Sequence, residues 1–152
     1  MEKRRIEPAH VDNRGYIADI FYRRSIDHVA VIDTVAKSVR GNHYHKLSTQ
    51  HILITKGSLE YWYKPLDFNG PAKCVLLREY DIVSTPPNEV HALRMLEDNQ
   101  FIVFSEGVRG GIDYEADTYR TEVIIPKELC FGEDRTASGG PQLSLGLEKE
   151  GA

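Results

Sequence analysis

The stretch Arg40–Gly57, RGNHYHKLSTQHILITKG, sets the reading of the whole chain. His43 and His45 are two positions apart, and alternate residues of a β-strand share a face, so both imidazoles can converge on one point. Gln50 opens an apolar run through Ile52 and Ile54 that reads as the next strand, and Gly57 closes that strand in a turn. His51 alternates with Gln50 and is expected on the opposite face, in a structural role. Further along, Pro86-Pro87-Asn88-Glu89-Val90-His91 offers one more histidine as another strand begins. Histidines delivered by separate strands onto one interior point to a site inside a small barrel.

Upstream, Asp12-Asn13-Arg14-Gly15 is a turn, because Asp and Asn bond their own backbone and Gly accepts a positive φ. Tyr16 to Tyr22 then reads as a strand, residues 23–27 as a polar connection, and His28 to Thr34 as an alternating strand rich in Val and Ile. Downstream, Ser58 to Lys64 is an aromatic strand, Pro65 to Pro71 a loop, and Lys73 to Arg78 a further strand. Ile82 to Ser84, Val90 to Met95 and Gln100 to Ser105 continue the series, with a loop at Gly107 to Gly111. Thr121 to Ile125 is expected to be a last strand, in this sheet or a neighbouring subunit's. Short strands punctuated by turns, with no helical period, predict an all-β sandwich or barrel.

The chain has 152 residues and a formal net charge of -4, a length that suits one domain and a balance that excludes nucleic acid and anionic membrane as principal partners. A small molecule is the expected partner. Cys74 and Cys130 make no disulfide framework, and no run of eighteen apolar residues occurs, so a reducing compartment is expected and the protein reads as soluble and cytoplasmic. Residues 1–126 hold the domain, and 127–152, where Gly, Ser, Pro and charge replace any apolar period, are expected to form a flexible or partner-docked tail.

The two histidine segments resemble the paired motifs of the cupins. His43-x-His45, four residues, Gln50, six residues and Gly57 carry the spacing of the first motif, and Pro86-x-Asn88-x-x-His91 carries that of the second. The resemblance spans residues 12 to 124 and implies a single-domain double-stranded β-helix, the cupin jelly roll. Four positions depart from the motifs: Lys37 and Asn88 stand in place of glycines, Gln50 in place of glutamate, and Met95 in place of asparagine. In cupins such a set holds a metal, which implies His43, His45, Gln50 and His91 as ligands of one divalent ion (Zn, Fe, Ni or Mn), with a metal-free site as the alternative. Gln50, a neutral oxygen donor, would bind an ion more weakly than a carboxylate.

Arg40-Gly41-Asn42-His43 is similar to the Arg-Gly-x-His segment of nucleotide-sugar 3,5-epimerases, where the histidine is the base. With Tyr44, His45, Lys46 and Gln50 it also looks like the 3,4-ketoisomerases, which work without metal, and the cupin domain of capsular-polysaccharide enzymes, which bind zinc. The opening Asp12-x-Arg14-Gly15 fits the same branch.

The resemblance therefore implies an isomerase or epimerase acting on a nucleotide-linked keto-deoxysugar, in surface polysaccharide or deoxysugar biosynthesis. The chemistry is consistent: one base and one electrophile suffice to remove a proton next to a carbonyl. His43 or His45 would act as base, Lys46 or Arg40 would stabilise the oxyanion, and Tyr61, Tyr63 or Tyr114 would return a proton or wall the ring. Arg14 and Arg40 are candidates for the diphosphate. Asp19 or Glu60 is a candidate for fixing a histidine tautomer. A homodimer is the expected assembly. The alternatives are a metal-dependent cupin oxygenase or oxidoreductase and a non-catalytic sugar-binding cupin.

Overall fold

The computed structural model describes residues 1–108, 110–113 and 115–129, so Arg109, Tyr114, Cys130 and the rest of the 127–152 tail lie outside the described residues. The strands are β1 (Glu2–Arg5), β2 (His10–Asp12), β3 (Gly15–Ile17), β4 (His28–Thr34), β5 (Val39–Tyr44) and β6 (Thr49–Lys56). They continue as β7 (Leu59–Pro65), β8 (Lys73–Leu77), β9 (Asp81–Thr85), β10 (Glu89–Met95), β11 (Asn99–Glu106) and β12 (Tyr119–Arg120). Two five-stranded antiparallel sheets, ordered β1-β9-β6-β11-β4 and β12-β5-β10-β7-β8, pack into the jelly roll that the sequence implied. Among the described residues no helix is long and apolar enough to cross a membrane.

Alternation explains how the sheets share one core. Ile52 and Ile54 of β6, Val83 of β9 and Phe101 and Val103 of β11 meet Leu59 and Tyr61 of β7, Leu77 of β8, and Leu93 and Met95 of β10 between the layers. β10 is buried along its whole length, because Ala92, on its outer face, is covered by Trp62 and Ile125.

Two expectations are corrected, and one strand is added. The strand from Tyr16 stops at Ile17; Ala18, Ile20 and Phe21 leave the hairpin to pack on Ile6, Leu53 and Ile82, and an irregular path buries them where a straight strand would not. The last strand is Tyr119–Arg120, not 121–125: Thr121 and Ile124 donate backbone N–H groups to the carbonyl and side-chain oxygens of Asn42, which turns the chain so that Ile125 is buried beside Trp62. The N-terminal Glu2–Arg5, a charged segment with no apolar signal, pairs along β9 as an edge strand.

Candidate active site

At one end of the sandwich the inward side chains turn polar. The register aligns Arg120, His43, His91, Tyr63 and Lys73 in one rung across β12, β5, β10, β7 and β8, and directly paired residues of antiparallel strands share a face. The other sheet supplies a rung at its own polar end, His28, Ser105, Gln50 and Thr85. One strand pitch deeper the side chains are apolar, with Ile52, Val83, Val103 and Leu93 in the core.

Backbone geometry builds the first rung. Gly41 has φ +92°, and a Cβ there would lie 2.7 Å from the His91 carbonyl oxygen, so only glycine lets β5 approach β10 closely enough to put His43 opposite His91. The glycines missing from the cupin motifs are replaced without loss of shape: Lys37 and Asn88 adopt φ of +65° and +60°, and Asn88 N donates to the His45 carbonyl at 2.7 Å, tying one motif to the other.

His43, His45 and His91 have potential ligand atoms within 4.8 Å of one another, with ring centroids 4.7 to 5.4 Å apart. His45 is fully buried and its Nδ1–H donates to the Asp117 carbonyl at 2.8 Å. His91 Nδ1–H donates to the Glu89 carbonyl at 3.2 Å. A carbonyl can only accept, so in the neutral rings the lone pair sits on Nε2 in both cases. Asp117 also clamps the loop beyond His45, its carboxylate accepting backbone N–H groups of Lys46, Leu47 and Ser48 at 2.7 to 2.9 Å. Burial raises the Asp117 pKa, but those amides outweigh it and hold the carboxyl below its ordinary range.

Tyr61 lies parallel to His91, with ring centroids 5.9 Å apart, and its hydroxyl sits between Thr85 Oγ1 and Glu89 Oε1. Burial, then the Glu89 charge, pushes the Tyr61 phenol well above its usual value. Glu89 is itself buried and accepts from the Met1 ammonium at 2.7 Å.

The sequence-predicted residues divide accordingly. His43, His45, His91 and Tyr63 share the polar end, and Gln50 is buried in the facing rung. Arg40 is exposed, paired with Leu93, and donates from Nε to Thr34 Oγ1 at 3.3 Å across the seam between the sheets. Lys46 is not brought to the cluster: its ammonium lies 4.1 Å above the Tyr119 ring, which stacks on Tyr44, and Tyr44 alternates away from the histidines. Arg14 is held by Asp12 at 2.6 Å, on a hairpin whose Tyr16 packs against Tyr80 at the opposite end of the barrel. Tyr114 is outside the described residues. Glu60 does not fix a histidine, because Arg94 takes both its oxygens at 2.8 Å and Trp62 adds a third bond. The backbone carbonyls of Asp117 and Glu89 do that work instead.

Sequence reasoning missed His28, Thr85, Lys73 and Glu89, and it placed Ser105, Asp117 and Arg120 only through their likeness to a late Ser, Asp and Tyr-Arg region of the ketoisomerases, without a role for each. Parity along β4, β9 and β11 would have flagged His28, Thr85 and Ser105 as inward at a strand's polar end. A backbone acceptor such as the Asp117 carbonyl leaves no side-chain signature.

Three imidazoles within ligand reach of one another fit one divalent ion of the nitrogen-loving kind, and the His43, His45 and His91 group contains no carboxylate. His51 stands outside it, as alternation predicts, with Nε2 on Glu106 at 2.8 Å and Nδ1 on Ser84 at 2.7 Å.

No protein-family model matches the chain, and no curated protein matches it in sequence. Solved structures do match. A 3,4-ketoisomerase from Helicobacter canadensis superposes with a TM-score of 0.65 at 19% identity, over 78% of this chain and 89% of that one. A mutant of the QdtA 3,4-ketoisomerase from Thermoanaerobacterium thermosaccharolyticum, in complex with TDP-4-keto-6-deoxyglucose, gives 0.63 at 20% identity over 79% and 86%. A dTDP-4-dehydrorhamnose 3,5-epimerase from Sulfolobus tokodaii gives 0.57 at 20% identity over 68% of each chain. Two facing antiparallel sheets and these superpositions show that the chain has the jelly-roll fold of the RmlC-like cupins.

Proposed function

We propose that the protein is an isomerase or epimerase that removes a proton next to the carbonyl of a nucleotide-linked keto-deoxysugar. The observation that carries the reading is the single rung in which His43 and His91 stand between two cations, Arg120 and Lys73, with Tyr63 beside them. An imidazole is the natural base for an acidic C–H at neutral pH. His43 takes the proton, with His45 and His91 as its neighbours. Tyr63, less buried than Tyr61, walls the ring and returns a proton. A diphosphate lies only a few ångströms from the reacting carbons of such a sugar. Arg120, one strand from His43, is therefore suited to it, since its ion pair with exposed Glu115 at 3.3 Å is weak enough to yield to phosphate.

In the metal-loaded alternative, a divalent ion on His43, His45 and His91 would supply Lewis-acid polarisation of the carbonyl, and His43, its lone pair then on the ion, would not be the base. The structural neighbour that carries TDP-4-keto-6-deoxyglucose makes this sugar the first to try. The same reading has the protein working in the cytoplasm as a homodimer, which sedimentation velocity checks.

Incubation with that sugar in D₂O should incorporate deuterium at carbons flanking the carbonyl. His43→Ala should slow incorporation by about 10²- to 10⁴-fold while the melting temperature stays near wild type. Wild-type turnover in the variant would remove His43 as the base. Tightly bound Fe with O₂ consumption, and no exchange, would replace the reading with an oxygenase.

A further inference from the structure

Gln50 is 3% exposed, on the inward face of β6, and its side-chain nitrogen meets no acceptor among the described residues. A buried amide donor is rarely left unmet in a fold unless something outside the fold uses it. Its surroundings say what that is. Thr85, its register partner on β9, holds the Tyr61 hydroxyl, and Tyr61 stacks on His91, so only a strand pairing, one hydrogen bond and one ring stack separate Gln50 from the imidazole group. Ser105 flanks it on β11, and Ile52, two residues along β6, belongs to the apolar core. The donor thus sits over a dry floor, where a hydrogen bond to developing charge is strongest.

We propose that Gln50 donates its amide N–H to the carbonyl oxygen of the substrate and is not a metal ligand. The inference rests on the proposed reaction and adds the group that receives its charge. As His43 takes the proton, the C–H electron pair forms a carbon–carbon double bond and the carbonyl π pair moves onto oxygen. Gln50 holds that oxyanion until a proton returns to carbon and the pair moves back. No oxidant or reductant enters. An amide nitrogen bearing two protons has no lone pair to offer an ion. Turned over, the same amide would present its oxygen and become a fourth ligand, and two substitutions separate these roles.

Gln50→Glu replaces the donor with a carboxylate that metals prefer, and Gln50→Leu removes both functions at similar volume. Deuterium exchange with TDP-4-keto-6-deoxyglucose and zinc content by elemental analysis are measured on wild type and both variants, with melting temperatures to confirm folding. A donor role requires exchange to fall by about 10²- to 10³-fold in both variants. Zinc content should rise in Gln50→Glu and stay at the wild-type level in Gln50→Leu. Wild-type exchange in Gln50→Glu with exchange lost in Gln50→Leu, or loss of zinc from Gln50→Leu with exchange restored by excess zinc, would overturn the proposal and make Gln50 a ligand. Exchange retained by both variants would remove Gln50 alone. No exchange in wild type would remove the reaction itself, and this role with it.

Discussion

His51 and His91 are each 1% exposed, yet the two histidines occupy opposite kinds of setting. His51, on the outer face of the first sheet, gives one ring nitrogen to Ser84 and the other to Glu106, and Glu106 is gripped in turn by Arg24 through two bonds of 2.8 and 2.9 Å. Phe21 packs on its ring edge. His91, inside the roll, has one nitrogen on a backbone carbonyl and shares its space with two further imidazoles. A histidine satisfied by side chains of the fold is structural. Histidines gathered on one another, over an apolar floor and between cations, are the setting on which the proposed chemistry rests.

Substitutions on each side can break or sharpen that contrast. Gly41→Val should strike the His91 setting hardest: φ +92° and a Cβ 2.7 Å from the His91 oxygen force β5 off β10. Stability should fall by about 2–4 kcal/mol in urea titration, and exchange activity should vanish even at temperatures where the protein stays folded. His51→Leu tests the other side. It should cost about 1–3 kcal/mol, by taking the ring partner from Ser84 and leaving Glu106 to Arg24 alone, yet leave the exchange rate per folded molecule unchanged. A matching loss of activity would erase the distinction between the two sites.

Arg120→Ala should raise KM for a nucleotide sugar by about tenfold with a smaller change in kcat, the loss of one charge-assisted contact, and a free keto sugar should not register the change. The smallest effect belongs to Glu106, whose carboxyl is held down to about 2, first by Arg24 and then by His51. A depressed carboxyl stabilises the fold above its unfolded pKa of about 4.5 and ceases to as pH falls toward 2. Glu106→Gln should therefore lower the melting temperature slightly at pH 7 and flatten its fall between about pH 4.5 and 2, as calorimetry at several pH values would read.

Much of this was legible because a strand has a period of two. The parity of Ile52 and Ile54 follows from the pleat alone, that of His43 and His45 holds although His45 lies one residue past the end of β5, and the spacing to Gly57 and His91 carried the cupin resemblance. The parity rule fails where the backbone bulges or turns. The register shift beside His91 reverses the alternation between Gly41 and His43, which is why Arg40, three residues before His43, points between the sheets toward Thr34. Lys46 follows the end of β5, where no pleat fixes its direction, and a neighbouring ring claimed its ammonium.

By itself the sequence determined an all-β roll, which strands carry the histidines and which faces those histidines share, because each of these depends on spacing along one chain. Only the tertiary structure decided that Arg120 and Lys73 lie on the histidine rung and that Asp117, 72 residues from His45, fixes its tautomer through a carbonyl. It likewise left the Gln50 amide facing inward with no acceptor among the described residues. Those facts depend on register between strands far apart in the chain and on backbone acceptors that every residue type shares, and neither leaves a local pattern to read.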